Sequence, residues 1–513
     1  MLSKTQQEQF LAKAQKLAPQ LKYRTVDADA VITPVKDKSV WQDYRMKKGD
    51  LAGFLKDNDF ANGSSFIVSM PETVVGQAAF SVDFCKGYAD SPSRIQITIG
   101  ELPQEVVNAD MPYNGTLNGS WLQKEIINID DLPCDVILPR RYSGKYIRFD
   151  MLNVPGSLKF SNIRFITCGA EDFMPPPPEH LPELLKKIDQ ASIRTLRNCM
   201  QLSFEDGPKR DRRLWLGDLR LQAMVNKVTY RRFDIVARCL YLFAGTLLDD
   251  GEVCGCVMER PAPRRGCHTH DYAMLFPIVL KEHCSWSGDL AIGEELFDLA
   301  CHQMKLMERF FTDGLFTGVN DPWTSWFFVD HDLELDRQAA MQGHAVAAYR
   351  ALAELAAMLG KHEQQTKFAA KADTLAAVAR EKLYDPVSGV VVSGKERQIS
   401  YASQIWMIIS GVLTPEEGRK ALLAVENTPA ALRPSSPYMF HYLLEAWDIC
   451  GDEKHLLELL TDYYGSMINN GADTFWEVYR PDEPFFSPYN DVRMNSACHA
   501  WSGTAAYFLR KGN

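Results

Sequence analysis

The densest group of chemically capable side chains lies at residues 205–218, where four acidic and four basic residues surround a single tryptophan. Asp211, Trp215 and Asp218 are spaced i, i+4 and i+7, so a helical or nearly helical stretch would present them on one face. An indole ring can stack on the apolar face of a sugar while carboxylates accept hydrogen bonds from its hydroxyls. A charged helix start with a buried tryptophan and surface ion pairs is the alternative interpretation.

Two aromatic clusters farther along the chain allow the same pair of interpretations. Glu477 lies between aromatic residues, a setting that we expect to raise the pKa of a carboxylate, and His499 follows downstream. The segment 323–330 contains Trp326 and ends at Asp330. Such a density of aromatic residues is typical of a sugar-binding wall, but core packing would produce it equally well.

The cysteine and histidine residues near position 260 are candidates for a metal site. The chain places Cys254 and Cys256 before Cys267, His268 and His270. Cys-x-Cys departs from the usual Cys-x2–4-Cys zinc knuckle, and no second knuckle follows, so we expect no metal. No phosphate-binding loop or Gly-x-Gly-x-x-Gly motif follows a strand pattern, so nucleotide cofactors also lack support.

Charge and composition narrow the classes of partner. The 56 basic and 66 acidic residues give a formal net charge of −10, which argues against a nucleic-acid partner. The sequence contains no run of about 18 apolar residues that would predict a membrane helix, and its polar N-terminus lacks the apolar core of a secretory signal. Most of the 12 cysteines lie in apolar runs. We therefore expect a cytoplasmic protein with no membrane partner.

Two regions of different periodicity must position the candidate residues. Apolar residues alternate with polar ones at 80–84 and 95–99, and clusters of Gly, Asn, Ser and Pro separate these short stretches. This pattern predicts an antiparallel β-sandwich over residues 1–174. The four prolines Pro175–Pro178 cannot continue a helix or a central strand, so residues 175–180 are predicted to be a linker.

After the prolines the apolar period changes to 3.6 residues, which predicts a helical domain over residues 181–513. A closed ring of six helical hairpins fits the number of helical stretches, and an irregular bundle fits it too. The stretch 219–249 is long enough to contain a break. The eleven predicted stretches are 182–203, 219–249, 272–284, 291–313, 341–359, 368–383, 400–410, 415–426, 436–449, 452–469 and 495–509.

Several motifs resemble those of the α-L-rhamnosidases of glycoside hydrolase family 78. That family carries a signature close to Asp-Cys-Pro-Gln-Arg-Asp-Glu-Arg-x-Gly-Trp-x-Gly-Asp, and the similar stretch here runs from Asp206 to Asp218. The family's Thr-x-Trp-Glu motif is similar to Thr474–Glu477, its downstream histidine to His499, and its Asp-x5-Pro stretch to Asp271–Pro277. The resemblance implies a β-sandwich followed by an (α/α)6 barrel.

The resemblance also implies inverting hydrolysis of a terminal α-L-rhamnose by two carboxyl groups about 6.5–9.5 Å apart. Glu477 corresponds to the general base. The family's acid is a Glu, and its position is occupied by Asp211 when residues are counted back from Asp218. Counting forward from Asp206 gives Arg212, which cannot donate a proton near neutral pH. Asp211 is therefore the expected acid.

Eight further residues are expected to bind the sugar or shape its pocket, and no cofactor is implied. Because positive charge would keep an acid ionised, we expect at least two of Arg210, Arg212 and Arg213 to point away from the Asp211 carboxyl. The expected substrate-binding residues are Asp206, Arg210, Trp215, Asp218, Asp271, Trp326, Asp330 and His499.

Two alternatives remain open at this stage. Another inverting glycosidase with a different sugar fits the same barrel, because loops set specificity. A carbohydrate-binding protein without turnover also fits, because the expected Glu is replaced by Asp211. The expected partner is a small-molecule rhamnoside whose aglycone the sequence does not specify, and a homodimer is one expectation for the assembly.

Overall fold

The N-terminal domain is built around one antiparallel sheet. The computed structural model describes residues 2–87, 90–321 and 323–511. In these residues the sheet has ten strands, of which six are hydrogen-bonded along the path β1-β10-β5-β9-β6-β7 and four are paired off this path. They are β1 (Lys22–Asp27), β2 (Ala30–Lys36), β3 (Tyr44–Gly49), β4 (Phe60–Ala61), β5 (Ser65–Gly87), β6 (Ser93–Gly100), β7 (Lys124–Ile129), β8 (Cys134–Ile137), β9 (Tyr142–Asn153) and β10 (Gly156–Gly169).

Alternating apolar residues give this sheet a dry inner face, as predicted. Ile95, Ile97 and Ile99 of β6 are buried together with Phe80 and Val82 of β5. Register shifts interrupt the pairing of the long strand β5 with both β9 and β10, and such irregularities bend strands so that a sheet can fold over its own core. The predicted β-sandwich is confirmed.

In the described part of the chain after the proline-rich linker, twelve helices pair into six hairpins. The longest has 22 residues, and in the described ranges none is long and apolar enough to cross a membrane. The helices are α4 (Glu183–Cys199), α5 (Leu216–Val228), α6 (Phe233–Ala244), α7 (His270–Ser287), α8 (Leu290–Met307), α9 (Gln338–Met358), α10 (His362–Leu383), α11 (Tyr401–Ile409), α12 (Pro415–Glu426), α13 (Pro437–Ile449), α14 (Glu453–Asn469) and α15 (Ala505–Arg510).

The hairpins close into a ring. Helices α5, α7, α9, α11 and α13 contact one another in turn, and α15 packs against both α4 and α5. The inner helices are buried on nearly every side, as in α5 from Leu216 to Asn226, whereas the outer helix α10 buries only six of its 22 residues. This closure confirms the (α/α)6 barrel and excludes the irregular bundle.

The N-terminal helix does not belong to the sandwich. Helix α1 (Lys4–Lys16) packs on α6 of the barrel, where Phe10 stacks on Tyr241 with ring centroids 5.7 Å apart. The predicted sandwich range of residues 1–174 includes α1, whose main contact is nevertheless with the barrel helix α6. Two more short helices, α2 (Leu51–Asp57) and α3 (Pro103–Val107), lie against the sheet.

Two predicted helical stretches differ from the structure. The run 219–249 does break, because residues 229–232 turn between α5 and α6. The stretch 495–509 is mostly irregular, with a 3-10 turn at Ala500–Ser502 before α15 begins. Its polar and aromatic side chains face a cavity rather than a helix neighbour, so a regular 3.6-residue packing period was never required there.

Short hairpins connect the helices at the rims of the barrel. They pair as a three-stranded sheet, a two-stranded sheet and a second three-stranded sheet. The strands are β11 (Leu214–Trp215), β12 (Cys256–Met258), β13 (Arg264–Arg265), β14 (Phe311–Thr312), β15 (Leu315–Phe316), β16 (Tyr384–Asp385), β17 (Val390–Ser393) and β18 (Gln398–Ile399).

An ion-pair cluster fixes the sandwich to the barrel. Glu72 of β5 contacts Arg194 at 2.9 Å and Arg197 at 3.0 Å, both on α4, and also pairs with Arg24 of β1. Burial by itself would raise the pKa of Glu72, but the charges of Arg197 and Arg194 outweigh it and lower the pKa to about 2. The carboxylate therefore stays ionised and clamps the two domains together.

We expect buried neutral histidines to make the fold sensitive to acid. Burial lowers the pKa of His283 to about 4, so an unfolded chain takes up a proton below pH 6.5 that the folded chain refuses. The stabilisation is complete above pH 6.5 and is lost as the pH falls toward 4. Between pH 7 and pH 4.5 the free energy of unfolding, measured in urea, should therefore fall by about 2 kcal/mol less in His283→Leu than in the unmodified protein. The exposed His362→Leu is the control, and equal slopes in the two variants would contradict the prediction.

Candidate active site

The acidic and basic segment that precedes α5 is a tight loop, not a helix. Residues 205–213 form turns, and Asp211 and Arg212 have φ angles of 62° and 53°. Consecutive residues in this left-handed region are strained unless the surroundings hold them. The expectation that Asp211, Trp215 and Asp218 share one face of a helix is therefore wrong. The loop itself brings the three residues to one cavity.

That cavity has a volume of about 450 Å³ and lies where loops of the barrel meet the edge of the sandwich. Its size suits a sugar with room for a second group. Nine of the ten residues proposed from the sequence line it: Asp206, Arg210, Asp211, Trp215, Asp218, Trp326, Asp330, Glu477 and His499.

Glu477 is held by three donors at the cavity wall. Its carboxylate pairs with the Arg210 guanidinium and accepts hydrogen bonds from the Tyr489 hydroxyl at 2.5 Å and the Ser496 amide at 3.0 Å. Burial alone would raise the pKa of Glu477, but Arg210 and these hydrogen bonds lower it well below the usual range. The expectation of a raised pKa is wrong, because charged and polar neighbours outweigh the aromatic surroundings.

Asp211 lies across the same guanidinium. Its carboxylate is 3.2 Å from Arg210 and 3.8 Å from Arg213, while Arg212 turns away and donates to the backbone oxygen of Pro208 at 2.9 Å. Only one of the three arginines points away, so the expectation that two would do so is wrong. The guanidinium of Arg210 contacts Asp211 through one terminal nitrogen and Glu477 through the other, so the same side chain faces both carboxylates.

Three buried polar groups face one another at the base of the cavity. The nitrogens of His499 lie 3.7 Å from Asp218 and 4.0 Å from Asp206. In the described chain neither Asp218 Oδ1 nor His499 Nδ1 has a hydrogen-bond partner. Burial lowers the pKa of His499 to about 3, and burial raises the pKa of Asp206 and of Asp218 well above the usual range. Such unsatisfied buried groups are positioned for the hydroxyls of a ligand.

Asp271 and Asp330 are occupied by the protein itself. Asp271 is fully buried outside the cavity lining, and its carboxylate accepts from the amides of Phe328 and Val329 at 3.1 and 2.9 Å. Asp330 lines the cavity but accepts from Ser436 and from the Ser435 amide. The expectation that Asp271 binds a sugar hydroxyl does not fit this arrangement. Both aspartates instead hold the aromatic loop in place.

Aromatic rings form the apolar wall. Trp215 and Trp326 meet edge to face with centroids 6.3 Å apart, and Phe328 stacks on Trp501 at 5.9 Å. The indole N–H of Trp501 donates to the backbone oxygen of Glu477 at 3.0 Å. This hydrogen bond connects the aromatic wall directly to the backbone of Glu477.

Sequence reasoning missed several lining residues. Tyr489 and His331 come from loops without a motif, and Leu117, Asn118 and Trp121 come from the sandwich domain. A tyrosine or histidine alone in a loop carries no periodic signal. Leu117, Asn118 and Trp121 can be found only when it is known that the loop before β7 reaches the barrel.

The fully buried side chain of Lys209 connects the sandwich domain to the loop that carries Asp211. Lys209 pairs with Glu105 of α3 at 2.6 Å and donates to the backbone oxygens of Arg493 and Asn495. Its neighbour Glu101, whose pKa burial raises to about 7, accepts from the Ala497 amide at 2.5 Å. The sandwich therefore supports both the loop that carries Asp211 and the loop that leads to His499.

The cysteine and histidine cluster near position 260 is not arranged as a metal site. Across the part of the chain that the structure describes, no three His, Cys, Asp or Glu side chains are grouped to hold an ion. His270 instead bonds to Glu252 at 2.7 Å, and Cys256 lies in β12, paired with Trp215 of β11.

Comparison with known proteins decides the family. Residues 28–168 match the glycosyl hydrolase family 78 alpha-rhamnosidase N-terminal domain, and residues 182–512 match the bacterial alpha-L-rhamnosidase 6 hairpin glycosidase domain. The chain belongs to glycoside hydrolase family 78. It is therefore a glycoside hydrolase, and the alternative of a binding protein without turnover is set aside.

Solved structures agree with this assignment. A rhamnosidase from Klebsiella oxytoca with rhamnose bound is 36% identical, with a TM-score of 0.94 and 98% of each chain covered. The family 78 rhamnosidase of Bacillus sp. GL1 is 22% identical with a TM-score of 0.74, covering 87% of this chain and 46% of that longer one, and it shows the fold alone. None of the curated protein sequences matches the chain.

We expect Lys209→Met to destabilise this family 78 protein by about 3–5 kcal/mol, because Glu105 would be left as a buried charge without its partner. Burial already raises the pKa of Glu105, so protonation relieves the cost and the loss should shrink as the pH falls toward 5.

Urea unfolding at pH 8 and pH 5 measures this loss. The exposed Lys187→Met is the matched control, and the double variant Lys209→Met/Glu105→Gln should recover part of the stability. An unchanged urea midpoint in Lys209→Met would show that the buried pair does not support the loop.

Proposed function

We propose that this protein is an inverting α-L-rhamnosidase that uses Glu477 as general base and Asp211 as general acid. The observation that carries the proposal is that both carboxylates contact neighbouring nitrogens of one guanidinium, that of Arg210, at the wall of one cavity. Both carboxylates therefore reach one sugar-sized cavity, as a pair that acts on a single glycosidic bond must. Inversion needs a separation of roughly 6.5–9.5 Å, which leaves room for the attacking water.

Glu477 is suited to be the base because its pKa lies well below the usual range. Arg210, Tyr489 and the Ser496 amide keep the carboxylate ionised and fix its orientation. An ionised, oriented carboxylate can accept a proton from water as that water attacks the anomeric carbon.

Asp211 is suited to be the acid because of its place. It lines the sugar-sized cavity and also a second cavity beside it, so it lies where a glycosidic oxygen would bridge a sugar and its aglycone. Its side chain is 18% exposed, so it can exchange a proton with solvent after each turnover.

The remaining polar residues are suited to bind the rhamnose ring. Asp218 Oδ1 and His499 Nδ1 are unsatisfied and 3.7 Å apart, so one hydroxyl could donate to the carboxylate and accept from the imidazole. Trp215 and Trp326 offer an apolar surface to the methyl group of a deoxy sugar. The rhamnose bound by the Klebsiella oxytoca relative supports this choice of sugar.

A cytoplasmic location and action on small rhamnosides belong to the same proposal. All 12 cysteines are free, which fits a reducing compartment. A homodimer remains a hypothesis that analytical ultracentrifugation of the purified protein would test.

We expect hydrolysis of 4-nitrophenyl α-L-rhamnoside to release the β-anomer of rhamnose first, as seen by proton NMR before mutarotation. Glu477→Gln should lower kcat by about 10³-fold because the base is lost, whereas Tyr489→Phe should cost only about tenfold. Release of the α-anomer first would indicate retention, and full activity of Glu477→Gln would remove this residue from the mechanism.

We expect Asp211→Asn to affect poor leaving groups most. Its kcat should fall about 10²–10⁴-fold on an alkyl rhamnoside but much less on 4-nitrophenyl rhamnoside, which needs little help from an acid. Asp206→Asn is the matched variant and should affect the two substrates equally, through binding. If Asp206→Asn showed the leaving-group dependence instead, Asp206 would be the acid.

A further inference from the structure

A second cavity opens on the far side of Asp211. It has a volume of about 620 Å³ and shares Trp121, Asp211 and Arg213 with the sugar-sized cavity. Residues of both domains form it, and its size suits one or two sugar rings. In the proposed mechanism a glycosidic oxygen lies at Asp211, so the group bonded to that oxygen must extend into this space.

Arginine dominates the wall of this second cavity. Six arginines line it, namely Arg140, Arg141, Arg212, Arg213, Arg260 and Arg264, against three carboxylates. The sugar-sized cavity has no such excess of positive charge, because its arginines face four aspartates and Glu477.

Protein carboxylates neutralise only part of this charge. Glu205 is occupied by Arg141 at 2.5 Å, and Glu259 is occupied by Arg238, which lies outside the cavity. Among the residues described, no carboxylate lies within ion-pair distance of Arg212, Arg260 or Arg264. The cavity therefore carries positive charge that its own walls do not balance.

The surroundings of Arg212 illustrate this excess of positive charge. Within the described residues its guanidinium donates only to backbone oxygens, those of Pro208, Arg141 and Lys209. Burial and then the charge of Arg141 lower the pKa of Arg212 to about 10. An arginine that is partly buried among like charges gains stability when an anion arrives.

We propose that the second cavity is the aglycone site and that it selects an acidic sugar, a uronic acid, as the residue to which rhamnose is linked. The inference rests on the proposed function, because it places the leaving group on the Asp211 side. A carboxylate on the first aglycone ring would enter a space lined by arginine forks, whose geometry matches carboxylates. A neutral aglycone would leave this charge unbalanced.

Two matched disaccharides test the proposal. They are α-L-rhamnosyl-(1→4)-D-glucuronate and α-L-rhamnosyl-(1→4)-D-glucose, which differ only in a carboxylate against a hydroxymethyl group. We expect kcat/KM to be at least about tenfold higher for the glucuronate at low salt, and the ratio to fall in 0.5 M NaCl because exposed charges are screened. A ratio of one or below would overturn the proposal.

Variants connect the effect to the cavity. Arg260→Gln/Arg264→Gln should lower the glucuronate-to-glucose ratio at least threefold, because both side chains lie at its exposed rim. Arg397→Gln, an exposed arginine that lines neither cavity, is the matched control and should leave the ratio and the activity as they are. An unchanged ratio in the double variant would count against the assignment of the cavity.

The same experiment separates this inference from the proposed function. If 4-nitrophenyl α-L-rhamnoside is not hydrolysed at all, the proposed function fails. If it is hydrolysed while the two disaccharides are cleaved equally well, the rhamnosidase proposal stands and the acidic-aglycone proposal is wrong.

Discussion

The arrangement of the site depends on one buried ion pair, between Arg210 and Glu477. The guanidinium lowers the pKa of Glu477 and also contacts Asp211, so a single side chain sets the charge of one carboxylate and the position of both. Because Arg210 is almost fully buried, its charge acts through little water and is weakly screened. The two residues that follow Arg210, Asp211 and Arg212, both have left-handed backbone conformations, which need support from their surroundings.

The sandwich domain contributes to the structure of the candidate site. Lys209 and Glu105 connect α3 to the loop of Arg210, and Glu101 holds the loop that carries His499. A loop with two consecutive left-handed residues needs such external support, because its own backbone hydrogen bonds are few. The β-domain thereby shapes both the sugar cavity and the arginine-lined cavity beside it.

Periodicity allowed the fold to be predicted, and most of the residues selected from motifs line one cavity. Helix α12 begins and ends at the predicted residues because both its apolar stripe and its caps are local signals. The stretch 495–509 failed because its side chains serve a cavity rather than a packing interface. Asp271 was placed in the site by resemblance, yet its carboxylate binds two backbone amides of the neighbouring loop.

The sequence by itself determined the order of a β-rich and a helical domain and selected Asp211 and Glu477 as candidate carboxylates, since these follow from local patterns and residue types. Only the tertiary structure decided the closure of the ring, the place of α1 on the barrel, the direction of each arginine and the shift in the pKa of Glu477. The physical reason is that charge interactions depend on distances between residues far apart in the chain, and a linear pattern contains no such distances.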